Sequence, residues 1–381
     1  MFNMSTTEND FLYNTVLQSR QYCGRNSKIA ELEKLVMEGK KIVVYAPRRY
    51  GKTSLCQNII KERFVKNTKS PLPIYCDFMD VNSLEDINDR LGDAIALSFN
   101  HFFPVKSTLK SLFSLIKNAS FSINSNALTG EMDVQFVPGS SDKLKLEKNL
   151  SLLLTLSKKY NLLLIFDEFQ DLYYVNTALA KMRSQLQQLQ KTPIIMLWSK
   201  KKLLSEIFAH NNSPFFNFAT EYTLPPVDIA DWVPYFNKRF KSVNLTIDKE
   251  TLKELSLLCC HVPNSICEIG AALKVRLKNK AITVADVLET ILEIVNQRQQ
   301  SYRFQLSPLS SNEKKFLRIM SEKAFVSSFL NKDFIASLRL SASGTKKIGE
   351  RLLKIGMIDE EEGLGLRISN PLLRYFLMTR H

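Results

Sequence analysis

The residues best placed to do chemistry are Gly51-Lys52-Thr53-Ser54. They close the tight stretch Ala46-Pro47-Arg48-Arg49-Tyr50, which follows the β-branched run Lys41-Ile-Val-Val-Tyr45 and precedes a helical polar–apolar pattern from Leu55 to Phe64. Strand, tight loop and helix is the order that phosphate chemistry needs, because loop N–H groups and the helix N-terminus together form an anion cradle. In such a cradle Lys52 reaches the β- and γ-phosphates of ATP, the Thr53 hydroxyl ligates Mg²⁺, and residues 46 to 54 supply the surrounding contacts. Ala46 stands where the loop's first glycine is expected, so its φ must be negative.

A second acidic element fits the first. Asn161-Leu-Leu-Leu-Ile-Phe166 reads as a buried strand ending in Asp167-Glu168, then Phe169-Gln170-Asp171. Ligands of a parallel α/β sheet bind at this strand edge, so Asp167 is expected to hold the metal's water shell and Glu168 to orient the attacking water. A third apolar run, Thr192 to Trp198, ends in Ser199, placed to touch the γ-phosphate or that water.

The elements that must carry these groups are set by size and composition. With 381 residues, 45% of them apolar, the chain can build two or three compact domains. Six scattered cysteines show neither disulfide nor zinc spacing and read as reduced thiols. No apolar run is long enough to span a bilayer, and Glu8, Asp10 and Asn14 stand where a signal peptide would be apolar, so a cytoplasmic protein with no membrane partner is expected. A net charge of +14 attracts polyanions. A generally basic solvated surface would carry the same charge.

On these motifs the chain resembles the archaeal-type AAA+ ATPases, a STAND-related group akin to origin-recognition ATPases. Tyr22-Cys23-Gly24-Arg25 is similar to the group's F-x-G-R box beside the adenine pocket, 46 to 54 to its phosphate loop, Ile165 to Asp171 to its D-E-F-Q stretch, and Leu224-Pro225-Pro226 to the turn out of its last core strand. The resemblance implies an α/β core of three layers around a parallel sheet over residues 1–225, with an insert around 101–147. It further implies an all-α lid over 226–300 and a winged helix over 301–381. It implies ATP and Mg²⁺ as ligands, with Gly24 and Arg25 joining Ala46, Pro47, Arg48, Arg49, Tyr50, Gly51, Lys52, Thr53 and Ser54 at the nucleotide.

Two departures bear on turnover. Ser213-Pro214-Phe215-Phe216 continues as Asn217-Phe218, where relatives often carry an arginine. If that arginine acts as a finger, its loss costs about 10³- to 10⁵-fold in rate. The lid turn His261-Val262-Pro263-Asn264 lacks the family's glycine, His261 reads as a turn or packing residue, and Arg276 is only a loose candidate for a second sensor.

Trp232, Phe236 and Phe240 at i, i+4 and i+8, and Leu252, Leu255, Leu257 and Leu258, read as lid core. Farther on, three helices and a hairpin, Ile358 to Ile368, read as the winged helix. Its third helix carries Lys346, Lys347, Arg351 and Lys354, candidate DNA contacts, opposite Ile348, Leu352 and Ile355. The hairpin is acidic, with Asp359, Glu360, Glu361 and Glu362, which would repel a DNA backbone. Double-stranded DNA and a protein therefore both remain open as partner, as does a homo-oligomer. Within the insert, Phe102, Phe103 and Phe113 could stack on bases but read first as core. The expected function is an ATPase, slow or partner-stimulated, that drives a switch of lid and winged helix; the alternative is a non-hydrolysing, ATP-bound DNA-binding or scaffold protein.

Overall fold

A computed structural model describes residues 10–102, 121–125, 132–136, 145–361 and 363–379, so Phe103, Phe113 and Glu362 lie outside the described residues. The chain forms two compact units, one comprising Asn26–Tyr45 and Lys52–Leu224, the other Met1–Arg25, Ala46–Gly51 and Pro225–His381.

The first unit carries strands β1 (Lys41–Tyr45), β2 (Pro71–Asp77), β3 (Phe121–Ser125), β4 (Met132–Phe136), β5 (Asn161–Asp167), β6 (Ile194–Trp198) and β7 (Thr220–Thr223). Five of them make a parallel sheet in the order β2-β5-β6-β1-β7, while β3 and β4 pair separately as an antiparallel hairpin. The apolar runs are continuous because both faces are covered. Val43, Leu164, Phe166 and Met196 join one cluster with Ile87, Leu91, Ile95 and Phe99, and the alternating residues Ile42, Val44, Leu163, Ile165, Ile195 and Leu197 are as fully buried. The covering helices include α1 (Asn26–Met37), α3 (Leu84–Phe102), α4 (Lys145–Ser157) and α5 (Ala178–Leu186). Between α1 and α3, α2 opens at Lys52–Ser54, widens into a π-helical stretch over Leu55–Ile60 and ends with Lys61–Asn67.

β2 is an edge strand containing Pro71 and Pro73. Asn161 N donates to Ser70 O and Phe78 N to Asp167 O, so even-numbered positions face β5 and odd-numbered ones face outward. The outward carbonyl of Pro73 accepts a hydrogen bond from Ser98 Oγ at 2.7 Å.

The second unit is mostly helical. Trp232, Phe236 and Phe240 line the buried side of α6 (Ile229–Phe240), and Phe11 packs among them, 4.7 Å from the Phe236 ring. In α7 (Lys249–Leu258), Leu252 and Leu255 are buried as expected, but Leu257 is exposed: it sits two residues past Leu255, on the face turned from the core. Cys260 and His261 both take positive φ before α8 (Pro263–Arg276), and the His261 ring stacks on Phe325. Strand pair β8 (Leu245–Thr246) and β9 (Lys280–Ala281) precedes α9 (Val284–Gln297), opened by a Thr283/Asp286 capping box, and α10 (Gln299–Leu306). Then come α11 (Ser311–Ser321), α12 (Lys332–Leu338), α13 (Ala342–Lys354), the antiparallel hairpin β10 (Ile358–Glu361) and β11 (Gly365–Ile368), and α14 (Pro371–Met378). Val326 bridges Leu366. Three helices closed by a hairpin is the order expected of a winged helix. Leu352 is buried in that module, whereas Ile355, expected on its packing face, is exposed because α13 has ended at Lys354.

Candidate nucleotide site

In the sheet unit the expected acidic pair is assembled. Lys52 and Thr53 begin α2, and Thr53 Oγ1 donates to Asp167 Oδ2 at 2.6 Å. The Tyr75 hydroxyl donates to the same oxygen at 2.9 Å, and Glu168 N to Asp167 Oδ1 at 2.9 Å. The register of β2 on β5 sets Asp77 opposite Asp167. Burial pushes the Asp77 carboxyl pKa up, with the charges of Asp167 and Glu168 adding to it, and burial beside Asp167 raises that of the Tyr75 phenol. Sequence reasoning missed Tyr75 and Asp77, because only strand pairing reveals them.

Glu168 takes a left-handed φ of 47°, a costly geometry for a non-glycine residue that turns the chain out of β5. Its Oε2 accepts the Ser199 hydroxyl at 2.8 Å and the Gln170 amide. Gln170 also reaches Ser199 Oγ and accepts Ser199 N, both at 3.3 Å, so one glutamine aligns the ends of two neighbouring strands. Glu168 and Ser199, each expected at the site, are thereby brought together.

The other unit contains the loop. Ala46 is fully buried and has a negative φ, as its methyl group requires, while Arg49 (φ 66°) and Gly51 (φ 86°) take left-handed backbone conformations. Arg25 Nη1 donates to Tyr50 O at 2.7 Å and to the Tyr22 hydroxyl at 2.8 Å. Its Nε and Nη2 are buried without a hydrogen-bond partner, two donors that a bound nucleotide could satisfy. Gly24 (φ +60°) packs against the Asp231 carboxylate, which accepts Arg25 N at 3.1 Å. Asp231 too escaped the sequence reading.

Tyr50 is 1% exposed, and its hydroxyl donates to Glu361 of β10. Arg367 of β11, also 1% exposed, pairs with Glu361 and Asp359 at 3.2 Å each and lies 5.9 Å from the Tyr50 ring centroid. The hairpin acidity expected to repel DNA is thus partly internal: Asp359 and Glu361 face Arg367, not solvent. Among the candidate DNA contacts, Lys346, Lys347 and Lys354 are exposed, and Arg351 pairs with Glu313 at 2.9 Å. Arg276 is bound to Glu289, Glu293 and Thr290. Asn217 takes a positive φ of 52° beside the buried Phe215, and Phe218 follows it where relatives often carry an arginine.

The donor set suits Mg²⁺, which uses one or two carboxylate or hydroxyl oxygens and takes the rest from phosphates and water. Thr53 and Asp167 provide such oxygens, and no group of three or more His, Cys, Asp or Glu poised for a metal occurs among the described residues. Nor is any described helix long and apolar enough to cross a membrane.

No protein-family model matches the chain, and no curated protein matches its sequence. Solved structures do. A Walker-type ATPase of Pyrococcus abyssi aligns over 97% of this chain and 99% of its own at 19% identity, with a TM-score of 0.62. The Aeropyrum pernix ORC1 protein, solved in complex with DNA, aligns over 98% and 96% at 10% identity and a TM-score of 0.53. The ORC2 protein of the same organism, solved as ADPNP–ADP complexes, aligns over 97% and 96% at 13% identity and a TM-score of 0.51.

Proposed function

From the AAA+ fold that the chain shares with these archaeal ATPases, we propose that it binds ATP with Mg²⁺ through Lys52, Thr53 and Asp167 and hydrolyses it slowly to ADP and phosphate. The observation that carries this reading is the run of contacts Thr53–Asp167 and Glu168–Ser199 at the ends of neighbouring strands. Lys52 neutralises β- and γ-phosphate charge, and Glu168 orients water and accepts its proton as the bond from the γ-phosphorus to ADP breaks. Mg²⁺, when bound, supplies charge neutralisation on the phosphates. Ser199 and Gln170 act as positioning residues for the Glu168 carboxylate. Arg25 and Gly24 shape the loop, and Ser54 completes its helical end.

The Tyr50–Glu361 bond ties the loop to the winged helix, so we read nucleotide occupancy as the input and movement of the lid (226–300) and winged helix (301–381) as the output. Exposed Lys346, Lys347 and Lys354, with Arg351, favour duplex DNA as the partner of that output. The lack of an arginine at position 218, where Phe218 stands, and the commitment of Arg276 to its neighbours favour one other reading, an ATP-bound protein that does not turn over.

Steady-state hydrolysis by the wild type, Lys52→Ala and Glu168→Gln, with and without duplex DNA at low and physiological salt, separates the two. Turnover lost in both variants and raised by DNA supports the DNA-coupled ATPase. Lys52-dependent binding without turnover in any condition would leave the nucleotide-gated scaffold.

A further inference from the structure

A cavity of about 460 Å³ opens within the unit that holds the loop. Arg48 and Arg49 line it from the loop, Arg298 from the end of α9, Glu268 from α8, Tyr302 from α10 and Ser369 from the turn after β11. Three arginines and one carboxylate leave an excess of two positive charges. Glu268, 4% exposed, is paired with Arg298.

The wall is shaped around this charge. Gly356 takes φ +73°, and a Cβ built there would stand 2.7 Å from Arg48 Nη1, so the absence of a side chain admits the guanidinium. Ser369 Oγ is buried and has no hydrogen-bond partner. Burial raises the Tyr302 phenol pKa although Arg298 and Arg49 pull it down, so its hydroxyl is a neutral donor at physiological pH.

We propose that this cavity is a phosphoryl-group site, in which the guanidinium forks of Arg48, Arg49 and Arg298 bind phosphate oxygens and Ser369 and Tyr302 add hydroxyl donors. Planar forks match phosphate geometry, and a dianion cancels the excess charge. Two sources carry that group. One is the terminal phosphate of a nucleotide cradled by the same loop, which rests on the ATP reading above. The other is a phosphate of a nucleic-acid strand lying beside Lys354, where Ile355 and Gly356 continue α13 into the cavity wall.

The test measures affinities for ATP·Mg²⁺, ADP·Mg²⁺ and a short single strand with and without a 5′-phosphate. It compares the wild type, Arg298→Lys and the double variant Glu268→Gln/Arg298→Ala, which strands no buried carboxylate. Loss of a charge-assisted contact is expected to weaken binding about 10- to 100-fold in the double variant and less in Arg298→Lys. A fall confined to ATP relative to ADP assigns the cavity to the nucleotide, and a fall confined to the phosphorylated strand assigns it to nucleic acid. Arg48→Ala, which removes a second guanidinium from the cavity, should move the same ratio. If neither ratio changes in a double variant that unfolds at the wild-type temperature, the proposal is overturned. If the wild type binds no nucleotide, the ATP reading fails by itself and the strand comparison still decides the cavity.

Discussion

Tyr50→Phe and Glu361→Gln, alone and together, probe the bond between loop and hairpin. Glu361 is 5% exposed and receives both the Tyr50 hydroxyl and Arg367 Nε, the latter at 3.2 Å. Removing the phenolic hydroxyl deletes one bond to a charged acceptor, about 1.5–3 kcal/mol. Glu361→Gln leaves Arg367 with Asp359 as its remaining carboxylate and should cost a similar amount, short of the 3–5 kcal/mol of a fully stranded charge. Because Tyr50→Phe deletes this bond and Glu361→Gln removes the charge of its acceptor, their effects should fall short of additivity by about 1 kcal/mol. Urea unfolding followed by Trp232 in a Trp198→Phe background reads the correct unit, since Trp232 shares the core cluster of Ile358 and Leu366 and Trp198 belongs to the other. At a slope of about 2 kcal/mol/M, each single change moves the midpoint by about 1 M. A coupling energy below about 0.5 kcal/mol would refute the idea that this buried bond holds the loop to the hairpin.

Three other outcomes are expected. Ser199→Ala should lower kcat about 10-fold while leaving ATP affinity unchanged, because it removes only the hydroxyl that positions Glu168; single-turnover and binding measurements distinguish the two. Gly24→Ala should destabilise by at least 1–2 kcal/mol, since a left-handed φ and the Asp231 carboxylate both oppose a methyl group, and calorimetry reads the loss. Asp286 is held at about 2, first by Lys280 at 2.8 Å and then by the Thr283 cap. A depressed carboxylate pKa stabilises above its unfolded value and loses that contribution as pH falls through the folded one. Stability between about pH 4 and 2 should therefore decline more steeply in the wild type than in Asp286→Asn.

Much of this was readable because the local signals are strong. Continuous apolar runs marked β1, β5 and β6; Asp167, Glu168 and Ser199 stand at or just past the ends of β5 and β6, and Lys52 opens the helix that the loop after β1 leads into. What escaped were side-chain meetings across long stretches of chain. Tyr50 and Glu361 are 311 positions apart, and nothing local announces that a loop tyrosine will seek a hairpin carboxylate. Reading Asp359 and Glu361 as surface charge failed for the same reason: their alternation along β10 with Arg367 opposite becomes informative only once the β10–β11 register is known. Gly24 looked like a motif letter, and its need for positive φ against Asp231 required the packed helix α6.

The two prolines of β2 bear on how the protein avoids its own kind. Of the outward-facing positions 71, 73, 75 and 77, two have no N–H to offer, and the carbonyl of Pro73 is already occupied by Ser98. With Asp77 O also taken by Arg90, an incoming strand would find this sheet margin stripped of two donors and two acceptors, which is how natural sheets resist growing into fibrils. Replacing both prolines with valine would restore a regular hydrogen-bonding ribbon along an apolar strand, and with it a route to aggregation that the present sequence closes.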